Sequence, residues 1–173
     1  MSPVKAISTC FSKVFNYSGR ASRSEFWWFF VFVGAATYLV SFLDERMFPD
    51  TWYGMVFSHN TENVGTMLTF GGTPMQLVVT AILAFPLLAA AWRRLQDTGQ
   101  SGWISLLPLA GLVLAALVLT LASKIEAGST SAAPGFIAML LMFGSVVICV
   151  SSLARRSVPG NNSYGPSPLE VTQ

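Results

Sequence analysis

The stretch Pro74–Trp103, PMQLVVTAILAFPLLAAAWRRLQDTGQSGW, decides the fold. Pro74 to Trp92 carries no charged residue, and Arg93 to Trp103 then gathers charge, amides and glycines into one short connection. A helix needs roughly 20 apolar residues at ~1.5 Å each to cross a ~30 Å hydrocarbon core. Three further charge-free runs of similar length occur: Phe26–Leu43, Trp103–Ser123 and Pro134–Ala154. Buried backbone in lipid must satisfy its own hydrogen bonds, so all four runs are expected to be helices.

Composition agrees. The 173 residues are 53% hydrophobic and 10% charged, against about 25% charged in an ordinary soluble domain. A net charge of +2, with no Lys/Arg run of five or more, gives no reason to expect nucleic acid as a partner. The expected fold is therefore an all-α integral membrane protein, a bundle of four transmembrane helices spanning about 26–43, 74–92, 103–123 and 134–154. Segment 1–25 precedes the bundle, an outer loop covers 44–73, and a tail covers 155–173.

Local signals refine this reading. Pro74 and Pro134 suit a first helical turn, where a missing N–H costs little. Pro86 lies inside the second span, where it is expected to kink the helix. Trp27, Trp28, Trp92 and Trp103 stand at span ends, at the depth that suits an indole. Gly111 and Ala115 form a small-xxx-small pair on the third span, a hint of close packing. Gly99 can end the second span in the left-handed conformation, and Ser101 can cap the next.

Lys and Arg set the expected orientation. Lys5, Lys13, Arg20, Arg23, Arg93, Arg94, Arg155 and Arg156 all fall on one side, and only Arg46 and Lys124 on the other. This asymmetry predicts that both termini are cytoplasmic. No cleaved signal peptide is expected, because the first apolar run begins late and no small-residue cleavage site follows it. Val4, Ile7, Phe11, Val14 and Phe15 share one helical face opposite Lys5, Ser8, Ser12, Lys13 and Asn16. Segment 1–25 thus contains a short amphipathic helix, lying either on the inner leaflet or on the bundle's own end.

Chemistry-bearing patterns are sparse. Cys10 and Cys149 match no metal or redox spacing, and His59, the one histidine, has no partner residue for a metal. No nucleophile–base arrangement is visible and the charge-free runs hold no carboxylate, so neither an enzyme nor a cofactor is expected. The polar residues flanking the spans form the candidate cluster: Arg20, Arg23, Glu25, Arg93, Arg94, Asp97, Asn162 and Tyr164. Two roles compete for it. Glu25 and Asp97 can pair with arginines from neighbouring spans under a packed tail, or the arginines can bind phosphate through their planar forks. The order Arg93 to Asp97 is the weaker i,i+4 orientation, which favours a partner for Asp97 from elsewhere. A membrane scaffold or interaction protein is the leading expectation, ahead of a transport or channel subunit and a lipid-active enzyme. Its partners would be membrane lipids, anionic ones included, a second copy of the chain, or another membrane protein.

SGRASRSEFWWF (Ser18–Phe29), RRLQDTGQSGW and PGNNSYGPSP (Pro159–Pro168) resemble, in order and spacing, the signature blocks of the domain-of-unknown-function family 805. The resemblance runs from about Phe15 to Pro168. It implies a four-helix protein of the bacterial inner membrane with no established activity. Gln96 stands where that family usually has histidine, and Ser163 where it usually has arginine.

Overall fold

The computed structural model describes residues 1–47, 53–57, 68–72, 74–125 and 133–168. The element order is α1 (Pro3–Ser12), α2 (Arg23–Met47), β1 (Tyr53–Phe57), β2 (Leu68–Gly72), α3 (Pro74–Asp97), α4 (Leu107–Ile125) and α5 (Ala133–Ala154). A 3-10 segment, Gly102–Leu106, leads into α4. Four helical stretches among the described residues are long and apolar enough to cross a membrane: Arg23–Met47, Met75–Asp97, Gly102–Ala122 and Ala133–Ala154. Their outward faces carry large apolar side chains such as Phe85, Leu109 and Phe143, each more than half exposed. The chain is a multi-pass membrane protein.

α2 and α3 outrun their charge-free stretches. α2 starts at Arg23 and ends at Met47, and α3 continues through Arg93, Arg94 and Asp97. Hydropathy marks only the part of a helix that suits lipid, whereas its hydrogen-bonded ladder continues wherever charged side chains find partners. Asp44, assigned above to the outer loop, lies in the last turns of α2 and is buried. Its Oδ2 accepts the Gln76 N–H at 3.0 Å, so one helix caps the first turn of another. The two-stranded sheet β1–β2 lies within the segment read as a plain loop. Its YGMVF and LTFGG segments contain the aromatic and β-branched residues that suit strands. His59 and the remainder of that loop lie outside the described residues.

The chain forms two compact units. The first comprises Met1–Trp52, Gly72–Ser105 and Ser151–Gln173, and the second Tyr53–Gly71 and Leu106–Val150. In the first, α1 packs on α2 and α3. Ser2 caps α1 by accepting the Lys5 N–H, and Pro3 occupies its first turn. The buried residues of α1 are small ones, Ala6 and Cys10, while Val4 and Phe15 of the expected apolar face are 78% and 81% exposed. Small side chains let helices approach closely, and Ala6 and Cys10 make this contact while the larger apolar ones stay outside it. Phe11 joins from the flank, edge-on to Phe29 and Phe32 at 5.5 and 6.0 Å.

Pro86 is fully buried within α3, whose helix runs on from Pro74 to Asp97 around it. In the second unit, Gly111 is the close-packing position the sequence suggested. A Cβ there would overlap Ser145 on α5, and Ala115, one turn on, is 2% exposed.

Candidate functional site

The connection after α3 builds the site. Gly99 has φ +75°, its N–H bonds to the Gln96 carbonyl at 3.1 Å, and the Gln100 N–H reaches the Leu95 carbonyl at 3.0 Å. Those two bonds end α3 in a Schellman motif and leave Asp97 on its last turn. Gly102 then lies against the Trp92 indole, where a Cβ would overlap the ring. Trp103 meets Trp92 edge-on at 5.1 Å, and Tyr17 does so at 5.8 Å. The glycines of TGQSGW thus have separate causes, a backbone conformation at Gly99 and a ring contact at Gly102.

Asp97 is the hub. Its Oδ1 accepts from Arg20 Nε at 2.9 Å, and its Oδ2 accepts from Arg94 Nη1 and from the Ser157 hydroxyl. All three charged side chains are at most 1% exposed. The Arg20 guanidinium also donates to the carbonyls of Gly160 at 2.6 Å, Gly165 at 3.3 Å and Val158. Arg94 Nε donates to the Leu153 carbonyl at 3.0 Å, and its Nη2 to that of Arg155. Leu153 lies in the last turn of α5, whose terminal carbonyls are orphaned and whose dipole end is negative. Arg94 therefore supplies both hydrogen bonds and charge to that end.

A second pair lies beside the hub. Arg93 Nη1 donates to Glu25 Oε1 at 2.7 Å, with both side chains buried, and Nε donates to the Ala89 carbonyl at 3.3 Å. Glu25 also sits in the first turn of α2, where a carboxylate complements the helix dipole. Cys10 of α1 lies close by. Burial, with help from the Glu25 charge and against the pull of Arg93, pushes its thiol up to about 11.

The tail closes over this end of the unit. Val158 N–H bonds to the Asp97 carbonyl at 3.0 Å, and Ala21 N–H to that of Arg93 at 3.2 Å. Asn162 donates from Nδ2 to the Gln96 carbonyl at 2.8 Å. Its Oδ1 accepts the Tyr164 N–H at 2.8 Å, and a backbone bridge to Gly165 completes the turn. Gly160 and Gly165, with φ +69° and +124°, permit this path.

The structure thus joins Arg20, Arg94 and Asp97 in one buried network, and Glu25 with Arg93 in a second. Asn162 ties the tail to α3, while Tyr164 contributes its backbone. Arg23 departs from this set: it is exposed and donates from Nε to the Arg155 carbonyl at 3.1 Å. Sequence reasoning missed Ser157, the tail carbonyls around Arg20, and Cys10. The PG and YG steps at Gly160 and Gly165 were the available signal for the tail turn. Gln96 is buried, and its Oε1 has no partner among the described residues. No group of three metal-ligating side chains occurs among the described residues.

Four apolar helices with ion pairs buried at one end of a helical unit define a multi-pass membrane protein with an internal charge clamp. The family model described as "Protein of unknown function (DUF805)" matches residues 14–166. The chain belongs to that family. No curated protein and no solved structure matches it.

Proposed function

We propose that this protein is a scaffold or interaction protein of the bacterial inner membrane, with both termini in the cytoplasm. The eight-to-two distribution of basic residues supports that orientation. The observation that carries the scaffold reading is the Asp97 hub, which ties the loop before α2, the end of α3 and the tail into one buried network. Arg20 and Arg94 direct their donors to internal acceptors, which suits a rigid platform better than a phosphate pocket. A fully connected buried network of this kind favours a single arrangement of the groups it joins. The platform presents the tail turn around Ser163 and the remaining exposed arginines to anionic lipid, to a second copy, or to another membrane protein.

A photocrosslinker at Ser163, which is exposed on the tail turn, tests this in native membranes. One recurrent crosslinked partner, lost when Asn162→Ala frees the tail turn from the Gln96 carbonyl, is the expected result. Solute or ion flux through liposomes holding only the purified protein, with no recurrent crosslink, would replace the scaffold with a transport subunit.

A further inference from the structure

The arginines at this end of the first unit divide into two sets. Arg20, Arg93 and Arg94 are buried with carboxylates, whereas Arg23, Arg155 and Arg156 are exposed. Among the described residues, no carboxylate lies within ion-pair range of the second set. One atom ties Arg23 to the chain that carries the other two: the Arg155 carbonyl accepts from Arg23 Nε at 3.1 Å and from buried Arg94, and Arg156 is the next residue. The Arg155 and Arg156 side chains therefore leave the backbone where the Arg23 guanidinium is held. Both Nη groups of Arg23 have no partner among the described residues.

A groove of about 400 Å³ begins at Arg23 and runs along α2, lined by Arg23, Ser24, Trp27, Trp28 and Val31. Those positions share one helical face and, at ~1.5 Å per residue, cover roughly 12 Å of its length. Beyond Arg23 the lining is almost wholly apolar, with Trp28 44% and Val31 57% exposed. Such a face on a membrane-crossing helix meets lipid, with its tryptophans at the headgroup level. Unpaired cations above an apolar groove match one kind of molecule, with negative charge at one end and hydrocarbon at the other.

We infer that Arg23, Arg155 and Arg156, with the Trp27–Trp28–Val31 groove, form a binding site for one anionic phospholipid. The phosphate sits among the three guanidinium groups, whose forks suit its oxygens. An acyl chain lies along α2. The buried arginines do not touch the lipid; Arg94 acts on the site by positioning the Arg155 carbonyl. A soluble phosphate would leave the apolar groove unused, and an acidic peptide would have no use for a groove that continues down a span. This site rests on the scaffold reading, since it supposes that the charge clamp holds the start of the tail against α2.

Native mass spectrometry of the full-length protein in non-ionic detergent tests the site, with phosphatidylglycerol and phosphatidylethanolamine as paired probes. The parent should retain phosphatidylglycerol preferentially. Each lost cation should weaken that retention about fivefold, and Arg23→Gln/Arg155→Gln/Arg156→Gln together roughly 100-fold. The Arg155→Gln/Arg156→Gln double variant leaves the Arg155 carbonyl bonds intact, so it decides the question if Arg23→Gln disturbs folding. Trp28→Ala/Val31→Ala should weaken retention of both lipids. Unchanged preference in the double variant overturns the site. Displacement of the lipid by soluble glycerol phosphate at equal concentration would assign the arginines to a free phosphate, and tighter binding of a Glu-rich peptide to an acidic protein segment. Because the readout is lipid alone, its failure leaves crosslinking at Ser163 untouched, and loss of that crosslink leaves the lipid result standing.

Discussion

Arg20 Nε lies 2.9 Å from Asp97 Oδ1, and the two residues are 77 positions apart in the chain. Both side chains are at most 1% exposed, so neither charge has water to fall back on. Arg94 approaches the same carboxylate from within α3. One carboxylate thus compensates two guanidinium groups, whose other nitrogens donate to carbonyls of the tail and of the last turn of α5.

Removing that carboxylate should be costly. Asp97→Ala leaves Arg20 and Arg94 buried without a counter-charge, a change that costs roughly 3–5 kcal/mol. The exposed Arg23→Ala should cost about 0–1 kcal/mol. Melting of the two variants in the same detergent separates them, and equal melting points would contradict burial of the hub.

Gly102 makes a steric prediction. Gly102→Ala puts a methyl group into the space of the Trp92 indole, and overpacking of this kind costs about 1–3 kcal/mol. Shrinking the ring should relieve it, so Gly102→Ala/Trp92→Leu should lose less than the two single losses added. A double-mutant cycle on thermal melts reads the coupling, and strict additivity would show that the contact is absent.

The Cys10 thiol makes a prediction in pH. Its value is pushed from 9.0 up to about 11, chiefly by burial, so the folded protein binds this proton more tightly than the unfolded chain. The neutral thiol then favours folding below about pH 9, and the contribution fades as pH rises toward 11. In a Cys149→Ala background, maleimide should label the folded protein far more slowly at pH 8 than the same chain in SDS. Equal rates would place Cys10 at the surface.

Orientation gives a fourth prediction. With Cys10 and Cys149 replaced, single cysteines at Ser58, Ser101 and Ser163 report three connections to an impermeant thiol reagent on intact cells. Ser101 and Ser163 are exposed, so access to the membrane side alone decides their labelling. Only the Ser58 position should react; reaction at Ser101 or Ser163 would invert the topology.

The order of spans, the turn after Asp97 and the gathering of arginines at span ends are all legible in the chain itself. Each is a local property: hydropathy sums along one helix, and Gly99 reports its own backbone. Arg20 and Arg23, three positions apart, look alike at that level, yet one is buried against Asp97 and the other is exposed. The sequence likewise offered Asp97 several arginines and could not choose among them. Tertiary structure made that choice, because ion-pair energy depends on distance and desolvation between groups brought together from 68 or 77 residues away. It also settled which face of α1 is buried, where close approach favoured Ala6 and Cys10 over larger apolar neighbours. Periodicity along a helix measures which side is greasy, but only the neighbouring helices determine which side fits.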